Sequence, residues 1–509
     1  MSTSSTLLRP EEVQLSARTE LDYEVGVIGA GFAGLTAAVQ LLGAGRASLA
    51  VFERADELGG VWRDNVYPGC ACDVRSHLYA IASDPNPDWP SGYARQADIL
   101  AYLKRVADHR DVARRIQFGV DIVEARFLEA TSCWRLTDAG GGVRHVRVLI
   151  LASGPLNRPS FPAIPGIERF GGSFVHSSAW DTSLDLTGKR VAVIGTGASG
   201  VQIIPSIAGR VGRLTVFQRS APWVMPRGDR RTTRLERWLF RRLPFTQALV
   251  RSAIYWALEG VGSAFFGNEA LARMLRAVAL RKLKREVRDP QVRAKLTPDY
   301  AIGCKRLTVS DDFLPTFDRE NVELVTDPIA EITREGVRTR SGGEYRLDHI
   351  VFATGFIVAD PDDFLRVVGR GGRVLPEQWA EEGAQAFRGV TVAGYPNLAM
   401  LLGPNSALSY SSVIHVVESQ MRYVLTYLEA LDAAGPKAAL DVRPEVQAAF
   451  NTAVQAKLAG TVWASGCRSW YLDRAGRNAG VLPEPGWRYR RRMSRFDADA
   501  YEVVRMVRS

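Results

Sequence analysis

Two glycine-rich turns of the same design lie far apart in the chain, and their composition suits them to holding phosphate groups. Glycines let backbone N–H groups approach a pyrophosphate, and a helix that begins at the turn stabilises its negative charge. The two turns consist of Gly29, Ala30, Gly31, Phe32, Ala33 and Gly34, and of Gly195, Thr196, Gly197, Ala198, Ser199 and Gly200. One such turn predicts one dinucleotide, so two predict a protein that passes electrons from one cofactor to another.

The residue 19 positions after each turn differs in charge. After the first turn it is Glu53, and a carboxylate at this spacing reaches the ribose hydroxyls of a dinucleotide. After the second turn it is Arg219, whose guanidinium binds a 2′-phosphate that a carboxylate would repel. The second turn is therefore predicted to bind NADP rather than NAD. The alternative is that Arg219 is a surface arginine and Gln218 faces the ribose.

The pattern around each turn predicts a strand, a helix and a second strand. Short apolar runs flank the turns, and the helices begin directly after the last glycine. The predicted elements are Tyr23–Ile28, Leu35–Leu42 and Ser48–Phe52 in the first unit, and Arg190–Ile194, Val201–Ala208 and Leu214–Phe217 in the second. Pro205 is expected to distort the second helix. The sequence thus predicts an α/β fold with two Rossmann-like dinucleotide-binding domains.

Composition supports a folded protein with several cores. The chain has 509 residues, 46% of them hydrophobic and 24% charged, which is ordinary for globular domains. Its net charge of +10 could serve nucleic acid or a membrane surface. The dense basic run Arg488–Arg492 lies outside any nucleic-acid motif, so it is interpreted as a solvated surface and no nucleic-acid partner is predicted. No sequence signal predicts an oligomeric state.

Cysteine usage and hydropathy suggest a cytoplasmic protein. Five cysteines are few and odd in number, which favours reduced thiols over a disulfide framework. Cys70 and Cys72 have neither redox-pair spacing nor partners for a metal site, and are interpreted as structural. The polar start of the chain, through about Asp22, shows no signal peptide. The apolar segment Ala248–Phe266 is interrupted by charges and predicts a buried or interfacial helix, not a membrane span.

The second half of the chain alternates between helical and strand patterns. Residues 225–300 are arginine-rich and helical, and form either a roof over a substrate cavity or an ordinary structural subdomain. The apolar run His349–Ala353 predicts a strand that ends at Thr354 and Gly355. Asn397–Leu402 predicts another strand, and a long helix is expected from about Ser412 to Leu431, with its N-terminus directed at one cofactor.

Two further segments resemble the Baeyer–Villiger monooxygenases, a class of flavoprotein monooxygenase. The first carries the family fingerprint, as Phe170, Gly172, His176, Trp180 and Asp181. The second resembles the loop that contacts the flavin in this family, and its matching residues are Gly60, Val61, Trp62, Asn65, Tyr67, Cys72 and Asp73. The resemblance extends over Tyr23 to Pro485, and it implies FAD at the first glycine turn and NADP at the second.

The resemblance also implies catalytic roles. Arg306 matches the active-site arginine, and Asp73 the aspartate that holds it. Trp470 matches a residue that contacts NADP and substrate, and His176 matches a histidine that helps to coordinate domain movement. The residues implied to contact the cofactors outside the two turns and the loop are Glu53, Arg219, Ser220, Lys305, Thr354 and Gly355.

The implied reaction inserts one oxygen atom from O2 beside a ketone carbonyl, through a C4a-peroxyflavin, to give an ester or lactone. The expected domains are an FAD-binding part at 23–165, an NADP-binding domain at 166–342 with a helical insertion at about 225–300, and a returning FAD-binding part at 343–509. Alternatives are an N- or S-oxidising flavin monooxygenase, a flavin-dependent disulfide reductase or NADPH oxidase, and a non-catalytic sensor of NADPH and FAD. The sequence does not specify which ketone is oxidised.

Overall fold

A computed structural model describes residues 20–358, 365–467, 469–473 and 476–505. The polar first 19 residues, and Arg468 in the segment that contains Trp470, lie outside the described residues. The strands are β1 (Tyr23–Ile28), β2 (Leu49–Phe52), β3 (Ile116–Gln117), β4 (Ile122–Leu128), β5 (Cys133–Asp138), β6 (Val143–Leu151), β7 (Ser173–His176), β8 (Arg190–Ile194), β9 (Arg213–Phe217), β10 (Val224–Met225), β11 (Thr308–Val309), β12 (Val322–Val325), β13 (Ile329–Thr333), β14 (Gly336–Thr339), β15 (Glu344–Arg346), β16 (His349–Phe352), β17 (Arg366–Val368), β18 (Leu398–Met400), β19 (Ala438–Val442) and β20 (Tyr501–Arg505).

The helices fall mainly between these strands. They are α1 (Phe32–Gly43), α2 (Val61–Asp64), α3 (Gln96–His109), α4 (Ala198–Ile207), α5 (Arg234–Arg242), α6 (Pro244–Gly262), α7 (Glu269–Glu286), α8 (Pro290–Lys295), α9 (Leu375–Glu382), α10 (Val413–Ala434), α11 (Pro444–Ala459) and α12 (Gly486–Arg492). Ser412 begins α10 by accepting a hydrogen bond from the Ile414 backbone. That start confirms the long helix predicted in this region.

The first sheet contains eight strands in the order β17-β4-β5-β6-β1-β2-β3, with β18 paired to β6. Strands β6, β1, β2 and β3 are parallel to one another. Strand β5 is antiparallel to both of its neighbours, β4 and β6. The residues that pack α1 and α10 together beside β1 are fully buried, and include Val27, Leu35 and Val417. This core fixes the first glycine turn at the end of β1.

The second sheet is entirely parallel, in the order β12-β9-β8-β16-β7. Together the two sheets confirm the predicted α/β fold with two Rossmann-like units. Strand β16 pairs with β7 and β8, although it lies after residue 343, where the returning FAD-binding part was expected to begin. We therefore place the return to the first sheet after Phe352. The chain crosses between the sheets twice, after β6 and after β16.

Helices α5 to α8 lie between β9 and β12, within the stretch 225–300 that was predicted to be helical. Helix α5 begins with a capping box, because Thr233 and Glu236 satisfy each other's backbone N–H groups. Among the described residues, none of the helices is both long and apolar enough to pass through a membrane.

Candidate functional site

The first glycine turn brings backbone close to backbone. A Cβ atom on Gly34 would overlap the carbonyl oxygen of Gly29, so only glycine lets α1 start this close to β1. Across the turn, Gly31 faces Gly60, and a Cβ on Gly60 would come within 3.1 Å of the Gly31 Cα atom. The turn is thus lined by backbone on both sides, which suits a pyrophosphate.

Glu53 lies at the end of β2, beside this turn, and its side chain is buried. Its carboxylate accepts hydrogen bonds from the backbone N–H groups of Ala30 at 2.8 Å and Ala55 at 3.1 Å. The position is that of a carboxylate that could meet a ribose bound over the turn.

The second turn repeats this arrangement. A Cβ atom on Gly200 would overlap the carbonyl oxygen of Gly195, whereas one on Gly197 would meet no atom within 4 Å. The Thr196 hydroxyl donates to the side-chain oxygen of Gln218 at 3.3 Å, and the Gln218 amide donates to the Lys295 carbonyl at 2.8 Å. Both ends of the Gln218 side chain are thus bonded inside the protein, and Arg219 beside it is exposed.

Three residues beside the second turn form a polar, positively charged group. Lys305 Nζ donates to Ser220 Oγ at 2.9 Å, and lies 4.5 Å from the centre of the Tyr300 ring. Burial lowers the pKa of Lys305, and the positive charge of Arg219 lowers it further. Two cations that repel each other, together with the Ser220 hydroxyl, make a suitable site for an anion, and the 2′-phosphate of NADP has the matching charge.

The predicted flavin loop is held by contacts on both of its sides. Trp62 donates to the Tyr79 hydroxyl at 3.0 Å, and Asn65 donates to the Val61 carbonyl at 2.8 Å. On the other side, the Tyr67 hydroxyl donates to Gln202 Oε1 at 3.1 Å. Trp62 and Tyr67 are largely buried, so these contacts fix the loop.

Gln202 on α4 is a residue that the sequence interpretation missed. Its side-chain amide donates to the Ala71 carbonyl at 2.9 Å, and its oxygen accepts from the Ala71 backbone N–H at 3.3 Å. A Cβ atom on Gly69 would also collide with Ser206, one turn further along α4. The loop of the first unit is therefore bonded to the helix of the second. The available signal was a glutamine in a mostly apolar helix.

Arg306 and Asp73 form an ion pair with two hydrogen bonds. Arg306 Nε and Nη2 each donate to a different oxygen of the Asp73 carboxylate at 2.6 Å. Burial would raise the pKa of Asp73, but the guanidinium holds it below its ordinary value, and Asp73 in turn raises the pKa of Arg306. About a quarter of each side chain remains accessible, 27% for Arg306 and 22% for Asp73. The pair is therefore charged and partly accessible.

Cys72 precedes Asp73 and lies against the same pair. Its thiol accepts a long hydrogen bond from the Val74 backbone at 3.4 Å, and burial raises its pKa. Burial likewise raises the pKa of Cys70, to about 11. Both thiols are protonated at neutral pH and are free, as expected for structural cysteines.

His176 lies between the two crossing segments. The Ser178 backbone N–H donates to His176 Nδ1 at 3.2 Å, so Nε2 carries the proton and donates to the Gly355 carbonyl at 3.0 Å. Burial lowers the pKa of His176, which keeps the ring neutral. Its ring also packs against Phe161 and Phe356. The side chain thus ties the fingerprint segment to both connections between the sheets.

Thr354 and Gly355 hold these two connections together. The Thr354 hydroxyl donates to the Ser160 carbonyl, and the Ser160 backbone N–H donates to the Gly355 carbonyl at 2.9 Å. The same carbonyl also accepts a hydrogen bond from His176 Nε2, so the histidine is bonded to the point where the two connections meet.

Trp470 and Tyr471 differ sharply in exposure. Trp470 is 42% exposed, whereas Tyr471 is 1% exposed, and their ring centres are 4.3 Å apart. Burial raises the pKa of Tyr471 to about 12, and the charge of Arg306 opposes that rise. The Tyr471 hydroxyl has no hydrogen-bond partner among the described residues. A buried hydroxyl beside Arg306 is a second feature that the sequence interpretation missed.

The expectation that all five cysteines are reduced is wrong, because Cys304 and Cys467 form a disulfide. The two residues are 163 positions apart, and only the fold brings them together. The bond joins the residue before Lys305 to the segment that carries Trp470. It therefore fixes that segment close to Arg306.

We expect this disulfide to show in a thiol titration. In denaturant without reductant, the protein should give three reactive thiols, from Cys70, Cys72 and Cys133. After reduction it should give five. A Cys467→Ser variant is the control, since it should give the same thiol count before and after reduction. Five reactive thiols from the unreduced wild-type protein in denaturant would contradict the bond.

Arg306 is a permanent cation that is bonded to Asp73 of the predicted flavin loop. A guanidinium stays protonated at any working pH and can stabilise negative charge that develops on oxygen. The polar groups around the two turns are backbone N–H groups, hydroxyls, a carboxylate and cations, and this combination fits two nucleotide cofactors.

Comparison with known proteins gives the same picture. Residues 22–365 match the family model described as flavin-binding monooxygenase-like. The chain is 43% identical over 482 residues to a Baeyer–Villiger monooxygenase of Streptomyces coelicolor, across 94% of this chain and 92% of that protein. It is 39% identical over 483 residues to one of Pseudomonas aeruginosa, across 94% and 91%. The solved structure of OTEMO in complex with FAD and NADP matches with a TM-score of 0.84 at 28% identity, across 95% of this chain and 100% of that one.

Proposed function

The chain belongs to the flavin-binding monooxygenase-like family, among the Baeyer–Villiger monooxygenases, and from this we propose how its own residues carry out ketone oxygenation. The reaction consumes a ketone, O2, NADPH and a proton, and yields an ester or lactone, water and NADP+. One oxygen atom enters the carbon chain beside the carbonyl and the other leaves as water. NADPH supplies the hydride, and FAD, when bound, supplies the activation of O2.

The observation that carries the proposal is the Arg306–Asp73 pair. Attack on a ketone carbonyl moves negative charge onto oxygen, and a fixed guanidinium stabilises this charge without reorganising. Asp73 holds Arg306 in place through two bonds and keeps it from pairing elsewhere. Since Asp73 belongs to the flavin loop and Arg306 to the segment after the helical insertion, the pair forms only when both units are in position.

The cofactor contacts follow from the two turns. Gly29–Gly34 and Glu53 would hold the adenosine diphosphate part of FAD, and the loop from Gly60 to Cys72 would lie along its ring. Gly195–Gly200 would hold the NADP pyrophosphate. Trp470, half exposed at the end of the disulfide-linked segment, would close over NADP and substrate.

The ester is the product that tests this function. Purified enzyme should convert an apolar ketone, with NADPH and isotopically labelled oxygen gas, to an ester that carries a single labelled oxygen atom by mass spectrometry. A thioether incubated in parallel separates this activity from the S-oxidising alternative. Sulfoxide formation with no ester from any of a dozen ketones would overturn the proposal in favour of that alternative.

We also propose a preference for NADPH that depends on Lys305 and Arg219. Hydrogen bonds to charged groups contribute about 1.5–3 kcal/mol, so Lys305→Ala should lower the ratio of kcat/KM for NADPH over NADH by about tenfold or more. Arg219→Ala should lower it less, since Arg219 is exposed. Lys284→Ala removes an exposed lysine from α7 and should leave the ratio unchanged. If the preference survives both single changes, the 2′-phosphate lies elsewhere.

We place the enzyme in the cytoplasm, where NADPH is supplied. The Cys304–Cys467 disulfide is unusual for such a reducing compartment. The thiols of the protein can be counted in freshly lysed cells and compared with those of the purified, unreduced enzyme. Equal counts would show that the bond is kept in the reducing compartment.

A further inference from the structure

Helix α6 (Pro244–Gly262) has its polar residues on the inside. Gln247 is buried, and its amide donates to the Asn86 carbonyl at 2.7 Å. Arg251 donates to the backbone carbonyls of His77 at 3.0 Å and Ala80 at 2.9 Å. Surface helices of globular proteins usually show the reverse, with polar residues outward and an apolar stripe inward.

The outward face of α6 is almost entirely apolar. Its exposed positions recur at helical spacing, and Ser252 is the only polar residue among Phe245, Ala248, Leu249, Ser252, Ala253, Trp256, Ala257 and Gly260. Phe245 is 60% exposed, Leu249 64% and Trp256 57%. At about 1.5 Å per residue, the stripe is roughly 22 Å long. A continuous apolar stripe of this length in water marks an interaction surface.

Helix α5 (Arg234–Arg242) extends this surface. Both helices lie on the same segment of the first unit, because the Phe240 ring packs 4.8 Å from His77, and Arg241 pairs with Asp88 at 2.6 Å. Gln247 of α6 also bonds to this segment, which contains His77, Asn86 and Asp88. The outward faces of both helices therefore lie on the side away from the segment. On α5 that face exposes 65% of Leu235 and 54% of Trp238.

Arginines lie among these apolar residues. Arg234 and Arg242 are exposed on the outward side of α5, and within the described part of the chain neither forms an ion pair. We call the set Arg234, Leu235, Trp238, Arg242, Phe245, Leu249 and Trp256 the docking face. It combines large apolar groups, two tryptophans and unpaired positive charge.

From this combination we propose that the docking face binds the surface of an anionic lipid bilayer, a property that goes beyond ketone oxygenation and does not depend on it. Tryptophan and leucine enter the boundary between headgroups and acyl chains, while arginines pair with lipid phosphates. A second copy of the chain fits less well, because a symmetric contact through this face would bring the same unpaired arginines together. The charge complementarity therefore favours lipid.

Vesicle flotation tests this binding directly. The holoenzyme should float with vesicles of phosphatidylcholine and phosphatidylglycerol, float less with phosphatidylcholine alone, and be released by high salt. The double variant Phe245→Ser/Leu249→Ser should partition into these vesicles at least about tenfold less, because it removes apolar area that the bilayer would bury. The double variant Arg234→Glu/Arg242→Glu should lose the preference for anionic vesicles. These side chains are exposed, so both variants should fold and keep their ketone turnover.

Control variants replace exposed residues of the same character elsewhere on the surface. Val123→Ser/Val503→Ser changes two apolar residues of strands β4 and β20 that are 45% and 48% exposed. Arg169→Glu/Arg346→Glu reverses two exposed arginines of the second unit. Both controls should float as the wild type does. Equal flotation of all variants, or none by the wild type, overturns the proposal. So does a dimer in light scattering that both docking-face variants abolish, since this face would then be a protein interface.

Discussion

Arg306→Ala is expected to abolish ester formation while NADPH still reduces the flavin. The loss of one preorganised group that stabilises an oxyanion lowers turnover by roughly 10²–10³-fold in other enzymes. Here the effect should be at least that large, because the Asp73 carboxylate would be left without the cation that holds its pKa low. The measurement is ester formed per NADPH consumed, together with the rate of flavin reduction under nitrogen.

Two further variants separate the charge of Arg306 from its placement. Arg306→Lys keeps a cation but cannot make two parallel bonds to Asp73, so its ester yield should fall between those of the wild type and the alanine variant. Arg190→Ala breaks another two-point arginine–aspartate pair, the exposed one with Asp348, and should leave the yield unchanged. Full ester formation by Arg306→Ala with flavin bound would remove this residue from the mechanism.

Single alanines at Gly34 and Gly200 are expected to separate the two cofactors. In each case the added Cβ would overlap the carbonyl oxygen of the first glycine of the same turn, which forces the helix away from the strand. Overpacking costs about 1–3 kcal/mol, and a loss of that size in binding lowers the affinity for the dinucleotide held there by roughly 5-fold to 150-fold. Gly34→Ala should purify with little FAD. Gly200→Ala should keep FAD and show a raised KM for NADPH.

The controls use glycines in the same helix or at its end. A Cβ on Gly43 of α1 would meet nothing within 4 Å, and one on Gly209, after α4, would meet only Arg319 at 3.8 Å. Gly43→Ala and Gly209→Ala should therefore keep both affinities. If Gly34→Ala instead kept FAD and lost NADPH, the assignment of the two turns would be reversed.

Features of the chain that depend on short stretches could be predicted from the sequence. The two β-α-β units were predicted because apolar runs, glycine spacing and helix starts lie within about thirty residues of one another. Glu53 and Arg219 follow their turns at a fixed distance for the same reason. In such local units, the strand length and the turn geometry largely determine the position of the residues that follow.

Contacts between distant segments could not be predicted in this way. The Cys304–Cys467 bond, the Gln202 contacts to Ala71, and the exposure of Trp256 all depend on how the units pack. Trp256 shows the reason, because its helical spacing is equally consistent with a core residue and with a residue on an exposed apolar face. Only the position of the neighbouring segment decides which side of the helix is covered.

The sequence by itself determined two dinucleotide turns, the charge beside each, and the helical stretch between them. Family resemblance supplied the partnership of Asp73 with Arg306, which the residue types alone did not indicate. The tertiary structure decided that these two side chains meet at 2.6 Å, although they are 233 positions apart. The physical reason is that each of the two residues is held in position by its own unit. A hydrogen bond between the units can form only where their surfaces come into contact.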